Sequence, residues 1–282
     1  MNAFTLRWLR LRRDADERAR WRAGARLFLR ALPDVSLPVV DLGCGSGANC
    51  AYLAHLSERP LHWRLVDHDP ALLAEALGAC TSLPYVRRLE CLELDLSREL
   101  EQSVSGGVAG ITASALLDLV SHQWLDRLSA LCVRSRVPLL LSLTYSGQVT
   151  LLPGDDDDEL IHRLIEQHQR RDKGFGAALG SLAPSTAARL LSAGNYRVSS
   201  VASDWVLDSA ERSDAALLEP LLAGWAQAAT ELVEERADMQ SAVRRIGSWL
   251  DRRLHATALG VLKARVGHVD LLALPEASSR PD

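Results

Sequence analysis

The sequence has no long apolar run, since no stretch reaches the roughly 18 residues that a membrane-spanning helix needs. It also has no continuous apolar stretch typical of a secretory signal, and its arginine-rich start carries acids that an organellar presequence avoids. It has five cysteines, an odd number that cannot all form disulfide pairs within the chain, so we expect reduced thiols. The cysteines also lack the paired spacing of metal sites, so we expect no metal. These absences predict a cytoplasmic protein without a membrane span.

Lysine is nearly missing. The chain has only Lys173 and Lys263 against 30 arginines, a bias that says more about codon usage than about function. The rest of the composition is that of a soluble globular protein: 282 residues, 48% hydrophobic, 24% charged and a net charge of -4. Nine arginines and three acids fall within residues 1–30. We interpret this segment as an amphipathic helix with its arginines in water, and contact with an anionic partner is the alternative.

The stretch PVVDLGCGSGAN, residues 38–49, organises the chain. It predicts a short buried strand, a turn with Gly43, Gly45 and Gly47, and then a helix. Such a turn places backbone N–H groups at a helix N-terminus where glycines let a ligand approach closely, so we expect a nucleoside-type ligand. The glycines also fit a loose dinucleotide fingerprint. Asp41 argues against that alternative, because a carboxylate here would repel a pyrophosphate but attract an ammonium group.

The segment VVDLGCGSG resembles motif I of the class I S-adenosylmethionine-dependent methyltransferases. S-adenosylmethionine carries a zwitterionic amino acid and no phosphate, which suits the carboxylate of Asp41. The resemblance implies an α/β fold with a doubly wound, seven-stranded, mostly parallel sheet whose last strand is antiparallel. It also implies a cofactor site formed by Asp41, Gly43, Gly45, Gly47, Asp67 and Asp95, with Ser114 nearby.

Two further acids follow predicted strands. Asp67 ends the second strand, residues 61–67, where a carboxylate can accept both ribose hydroxyls, and VDHDPALL is similar to the family motif that does so. Asp95 lies at the end of the predicted third strand, residues 89–96, and matches the family position that binds the adenine amino group. A turn aspartate is the alternative interpretation of Asp95.

Candidate catalytic residues follow the next two strands. His122 is predicted to share a helix face with Asp118, and it is a candidate general base because a free histidine side chain titrates near neutrality. A structural surface histidine is the alternative. Tyr145 ends the fifth strand, residues 137–145, and would orient a substrate through its hydroxyl or simply fill space. Residues 108–114 lack the signatures of amino-group or cytosine methylation, which argues against the best-known nucleic-acid methyltransferases.

Beyond these strands, four consecutive acids, residues 155–158, are interpreted as the first turn of a helix rather than as a metal site. The loop at residues 170–176 mixes charge, glycine and an aromatic residue between two helices, and a loop of this kind can close over a cleft and contact substrate. We predict a helical insertion that packs with the N-terminal helix as a partial cap over the carboxyl ends of the strands. Trp205, Trp225 and Trp249 either line the substrate pocket or pack within this cap.

The predicted organisation has five parts. They are an N-terminal helical segment (1–34), an S-adenosylmethionine-binding α/β domain (35–209), a helical cap insertion (210–264), the last strand of the α/β domain (265–276) and a disordered tail (277–282).

The resulting functional prediction is an S-adenosylmethionine-dependent methyltransferase that acts on an O, N or C atom of a small molecule by in-line methyl transfer. Nucleic acid is not the expected partner, because the chain is slightly acidic overall. Two alternatives stay open: an RNA or protein methyltransferase that uses the basic N-terminal helix, and a cofactor-binding partner protein without turnover. The pattern predicts neither the acceptor nor the oligomeric state.

Overall fold

The computed structural model describes residues 5–33, 36–234 and 240–276. Within these ranges the strands are β1 (Val39–Leu42), β2 (Leu61–Asp67), β3 (Val86–Glu93), β4 (Gly110–Ser114), β5 (Leu139–Leu152), β6 (Tyr196–Ala202), β7 (Trp205–Asp208) and β8 (Lys263–Pro275). The α-helices are α1 (Leu6–Ala19), α2 (Arg22–Ala31), α3 (Ala48–Leu56), α4 (Pro70–Cys80), α5 (Leu96–Glu99), α6 (His122–Ser135), α7 (Asp158–Gln169), α8 (Ala183–Ala193), α9 (Arg212–Glu234) and α10 (Gln240–Ala258).

The strands form one sheet in the order β3-β2-β1-β4-β5-β8-β6, with β7 also paired to β8. The first five strands of this order are parallel, and β8 is antiparallel to β5, to β6 and to β7. All four residues of β1 and the first seven of β5 are buried. Continuous burial of this kind is typical of parallel strands covered by helices on both faces. The predicted mixed α/β fold with an antiparallel last strand is therefore confirmed.

Two apolar cores cover the faces of the parallel strands. One contains Phe28 of α2 and Leu53 of α3 together with Trp63 and Leu140 from the sheet. The other packs α6 and α8 against the opposite face. A sheet buried between two helical layers has its strand ends as the accessible edge, and the carboxyl edge is where open α/β sheets bind ligands.

A third core lies beyond the carboxyl ends of the parallel strands. There the far half of β5 continues to pair with β8, in a register that includes Leu151 opposite Ala264. Helices α1, α7, α9 and α10 pack on this extension. The predicted helical insertion before the last strand is thus present as α9 and α10, and α1 contacts it through an ion pair between Arg18 and Asp214 at 2.5 Å.

The structure corrects three details of the predicted elements. Among the described residues the sheet has eight strands rather than the predicted seven, because residues 196–208 form two strands, β6 and β7. They are separated at Ser203 and Asp204, where Asp204 Oδ1 accepts a hydrogen bond from the His268 backbone N–H at 3.0 Å. The N-terminal segment forms two helices rather than one, with Arg20 between them. The third strand ends at Glu93, earlier than predicted.

Two further predictions concern the end of the chain and its division into segments. The predicted disordered tail, residues 277–282, lies outside the described residues, as do residues 1–4, 34–35 and 235–239. The five-part division of the chain stays a prediction. In the part that the structure describes, no helix combines the length and the apolar composition needed to cross a bilayer.

Candidate cofactor and acceptor site

The turn after β1 is shaped by its glycines. Gly45 and Gly47 adopt φ values of 53° and 82°, which an L side chain rarely takes. A Cβ on Gly47 would lie 2.8 Å from Cys80 Sγ and 3.1 Å from Ala76, so α4 packs directly on the turn. The Gly45 N–H donates to Asp67 Oδ2 at 2.9 Å. This hydrogen bond connects the turn directly to the end of β2.

Asp41 is completely buried at the tip of β1. Its Oδ1 accepts a hydrogen bond from Asn49 Nδ2 at 2.7 Å, while Oδ2 is buried without a partner. Burial raises the pKa of Asp41 to about 7, against the opposing effects of the Asn49 hydrogen bond and the Arg20 charge. An unpartnered carboxylate oxygen of this kind is a position for a cationic donor.

Arg20, which sequence analysis did not single out, enters this site from the break between α1 and α2. It is 8% exposed, its Nη1 donates to Asn49 Oδ1 at 2.5 Å and its Nη2 donates to Ser114 Oγ at 3.0 Å. The guanidinium stacks on the Tyr52 ring at 4.7 Å, and its Nε is buried without a partner. Nothing in the sequence separates Arg20 from the eight other arginines of the segment, because its role depends on the path of the chain.

Asp67 and Asp95 take different positions. Asp67 is 6% exposed and is held by the N–H groups of Gly45 and Asp69, at 2.9 and 3.1 Å. Asp95 lies two residues beyond β3 and caps α5, with its Oδ1 accepting from the Ser97 N–H at 2.9 Å. The hydrogen bonds from Ser97 hold the pKa of Asp95 below its usual range. Its contacts are those of a helix cap, and its role toward adenine stays a prediction.

His122 occupies a surface position. The prediction that it shares a helix face with Asp118 is wrong, because Leu117–Leu119 forms a 3-10 turn and α6 begins only at His122. Its Nδ1 lies 2.9 Å from Asp126 Oδ2 and its Nε2 lies 3.3 Å from an Arg189 Nη2. These contacts favour the alternative that His122 is a structural surface histidine. They do not support a catalytic role, which stays a prediction.

Tyr145 is 8% exposed, and its buried hydroxyl lies beside the Glu166 side chain. Burial and then the charge of Glu166 raise its pKa above the usual range. The His268 ring packs edge-on against Tyr145, with ring centroids 6.3 Å apart, and lies tilted against the Trp205 ring at 4.9 Å. Burial lowers the pKa of His268 to about 4, so this ring is neutral at pH 7. Strand β5 runs on to Leu152, so the prediction that Tyr145 ends the fifth strand is wrong. Tyr145 lies in the middle of the strand, in a dry, partly aromatic environment.

The run of acids at residues 155–158 is paired with arginines of α10. Asp155 and Asp157 bind Arg252 at 2.6 and 2.9 Å, and Arg253 binds Asp158. In the residues that the structure describes, no group of three His, Cys, Asp or Glu side chains is arranged to hold a metal ion. The acids therefore fix the start of α7 to the helical insertion.

The three tryptophans named from the sequence lie in the third core. Trp205 donates from Nε1 to Asp16 Oδ1 at 3.0 Å. Trp225 and Trp249 line a cavity of about 200 Å³ between β5, α7 and the helical insertion. This cavity is formed by the extension rather than by the ends of β1 and β4.

No protein-family model matches the chain, and no curated protein is a significant match to its sequence. Solved structures resemble it in fold. A cyclopropane-fatty-acyl-phospholipid synthase-like protein from Lactobacillus casei ATCC 334 is 16% identical, with 94% of this chain and 92% of that chain covered at a TM-score of 0.55. A cyclopropane synthase from Mycobacterium tuberculosis is 14% identical, covering 89% and 83%, at a TM-score of 0.46.

A third similar structure is the geranyl diphosphate C-methyltransferase of Streptomyces coelicolor A3(2), crystallised with Mg²⁺, geranyl diphosphate and S-adenosyl-L-homocysteine. It is 12% identical, and 90% of this chain and 78% of that chain are covered at a TM-score of 0.43. The strand order, the antiparallel last strand and the similarity to the Lactobacillus casei structure all indicate the same fold. The chain has the class I methyltransferase fold.

Proposed function

We propose that this protein is an S-adenosylmethionine-dependent methyltransferase that acts on a small molecule. The observation that carries the proposal is a pair of buried, unpartnered atoms of opposite polarity, Asp41 Oδ2 and Arg20 Nε. They lie on either side of Asn49, which bonds both side chains. A carboxylate and a guanidinium so placed complement the ammonium and carboxylate groups of an amino-acid zwitterion.

Each residue of the site has a defined part in this proposal. Asp41 holds the ammonium group, Arg20 holds the carboxylate, and Asp67 accepts the ribose hydroxyls. Asn49 and Ser114 keep the guanidinium in position through the hydrogen bonds described above. The cofactor supplies an electrophilic methyl group, and the protein supplies orientation and a site that excludes water.

The N-terminal arginines support a small acceptor rather than RNA. Arg10, Arg12, Arg13, Arg18 and Arg30 form ion pairs with acids of the chain, and Arg20 is buried in the site. The Arg10–Glu75 and Arg18–Asp214 pairs link α1 to α4 and α9. Most of the local positive charge is therefore neutralised by the protein itself, whereas an RNA site needs cations free to meet phosphates.

Calorimetric titration with S-adenosylmethionine and S-adenosylhomocysteine tests the cofactor proposal. We expect micromolar affinity, on the order of -8 kcal/mol, for the wild type. Asp67→Ala should weaken it by about tenfold or more, because the ribose loses a charged acceptor. Asp69→Ser is the matched control. Asp69 caps α4 two residues away, and serine preserves a cap, so cofactor affinity should be unchanged.

Heat from a nicotinamide dinucleotide and none from either S-adenosyl compound would contradict the proposal. Binding of S-adenosylmethionine without methyl transfer to any member of a broad metabolite panel would instead support the non-catalytic alternative. An assay with methyl-labelled cofactor separates these outcomes, because label in any product requires turnover.

A further inference from the structure

Helices α7, α9 and α10 enclose the cavity of about 200 Å³ against the far half of β5. Its apolar walls come from all four of these elements, through Val149, Leu151, Ile161, Ile165, Trp225 and Trp249. The cavity opens to solvent on the side of His162 and Trp225, which are half-buried. It is therefore an apolar space that a small molecule can enter.

The polar groups of the walls are already hydrogen-bonded within the protein. Asp158 Oδ1 accepts from the Trp249 indole N–H at 2.8 Å, and Arg253 bonds both oxygens of the same carboxylate. His162 Nε2 lies 2.7 Å from the Gly147 carbonyl oxygen, so this nitrogen carries a proton and donates it. Water in the cavity would find few partners, and cavities with this property bind apolar molecules.

The charge of the wall is balanced by the protein. Asp158 contributes a carboxylate to the cavity, and this carboxylate forms an ion pair with Arg253, whose side chain is 3% exposed. An ion that entered the cavity would lose hydration without gaining a free counter-charge. The cavity therefore favours a neutral ligand over an anion or a cation.

Two indole rings of the wall have no aromatic neighbour. In the described part of the chain, neither Trp225 nor Trp249 packs against another aromatic ring. Aromatic pairs gain stability from edge-to-face or offset contacts, beyond the area that they bury. A dry cavity of about 150 Å³ can bind benzene, so this larger one accommodates a somewhat larger ring system.

The cavity is separate from the cofactor site. Strand β4, which carries Ser114, pairs with β5 up to Ser142. Leu151 lies nine residues further along β5, opposite Ala264 of the extension. A strand advances about 3.3 Å per residue, which places the cavity well beyond the edge where the cofactor site lies. A ligand in the cavity is therefore not positioned as the methyl acceptor.

We propose that this cavity is a second binding site of the protein and that it takes a neutral aromatic molecule about the size of indole. The site goes beyond the proposed methyl transfer and does not depend on it. A ligand there contacts α7, α9 and α10 together with β5, so its binding stabilises the attachment of the helical insertion to the sheet.

Ligand-observed NMR with indole tests the proposal. We expect indole to bind the wild type with a dissociation constant of about 0.1 to 1 mM, and to keep this affinity when the protein is saturated with S-adenosylhomocysteine. Benzoate and benzylammonium are ions of similar size. Each should bind at least about tenfold more weakly than indole, because neither meets a free counter-charge.

Three variants assign the binding to the cavity. Val149→Phe places a larger side chain in the wall and should weaken indole binding by about tenfold or more. Val206→Phe is the matched control, because it makes the same exchange at a residue of β7 that is 69% exposed, and its affinity should equal that of the wild type. Trp225→Leu removes one aromatic wall and should weaken binding by about threefold or more.

Cooperative unfolding in urea shows that each variant is folded. If Val149→Phe does not unfold cooperatively, Trp225→Leu decides the test. Slower amide exchange of α7 in the indole complex of the wild type is the second measurement, since the ligand contacts this helix.

The absence of indole binding up to about 10 mM would overturn the proposal, because the cavity would then hold only water. So would equal affinity of the wild type and a folded Val149→Phe. Binding that S-adenosylhomocysteine abolishes would place indole in the cofactor site instead, and tighter binding of either ion would refute a neutral ligand. Failure of S-adenosylhomocysteine to bind would refute the proposed function alone, since the comparison of variants needs no cofactor.

Discussion

At the scale of single residues, the site depends on polar groups buried in pairs. The acids Asp41 and Asp67 could be predicted because hydrophobic runs mark the strands and an acid at a strand tip is visible in the sequence. Arg20 could not be predicted, since its position follows from where α1 ends and how α2 leaves it.

The raised pKa of Asp41 predicts a pH dependence of cofactor binding. The ammonium group needs the ionised carboxylate, so affinity for S-adenosylhomocysteine should rise about tenfold per unit as pH increases toward about 7 and then level off. Asp41→Asn should bind weakly and show no such rise. Calorimetry from about pH 5.5 to about pH 7.5 measures this, a range below most of the titration of an α-amino group. A wild-type affinity that is flat over this range would contradict the assignment of the ammonium group to Asp41.

The Asp41 carboxyl also makes the stability of the ligand-free protein depend on pH. Its pKa is about 7 in the folded protein and 3.8 when unperturbed, so between these values the folded state binds more protons than the unfolded state. Stability contributed by protonated Asp41 is therefore present below about pH 4 and lost as pH rises to about 7. Denaturant titrations of wild type and Asp41→Asn isolate this contribution, which is up to about 4 kcal/mol.

At the scale of elements, the acids before α7 and the arginines of α10 hold the helical insertion against β5. The sequence predicted that the acids belong to a helix start, but their partners lie about 90 residues away and could not be paired by local reasoning. Similarly, the break between β6 and β7 follows from a bond between Asp204 and the His268 backbone, a long-range contact that alternation cannot show.

Replacement of Arg253 tests this connection. Its side chain is 3% exposed and binds Asp158 and the Pro153 carbonyl, so Arg253→Met leaves a partly buried acid without its main partner. We expect a loss of about 3 to 5 kcal/mol in the free energy of unfolding. Arg245→Met is the control, because Arg245 is 55% exposed and its pair with Asp157 should contribute at most about 1 kcal/mol. Urea titrations measure both, and equal losses would show that burial does not set the strength of these pairs.

At the scale of the whole molecule, α1 connects the cofactor site to the helical insertion. The Leu9 side chain lies 3.4 Å from the position of a Cβ on Gly45, so the helix covers the glycine turn. Arg18 binds Asp214 of α9, and Asp16 accepts from Trp205. Arg20 follows at the end of the same helix. A ligand that contacts Arg20 therefore stabilises an element shared by the third core and the site.

This arrangement predicts how cofactor binding changes local stability. At about 100 times the dissociation constant, S-adenosylhomocysteine should raise the free energy of unfolding by about 2.7 kcal/mol. Amides of α1 should also exchange more slowly, because the bound carboxylate fixes Arg20 and the helix that precedes it. Hydrogen-exchange mass spectrometry measures this, with α6 as the reference because it packs on the opposite face of the sheet.

Arg20→Met separates the two effects, since it removes the guanidinium while keeping most of the apolar stem. The ligand concentration is adjusted to the weaker affinity of the variant. The variant should then show the same gain in the free energy of unfolding as the wild type, but a smaller slowing of amide exchange in α1. Equal protection of α1 in both proteins would mean that the helix is held by Leu9 and the ion pairs alone. The coupling between the cofactor site and the helical insertion would then not pass through Arg20.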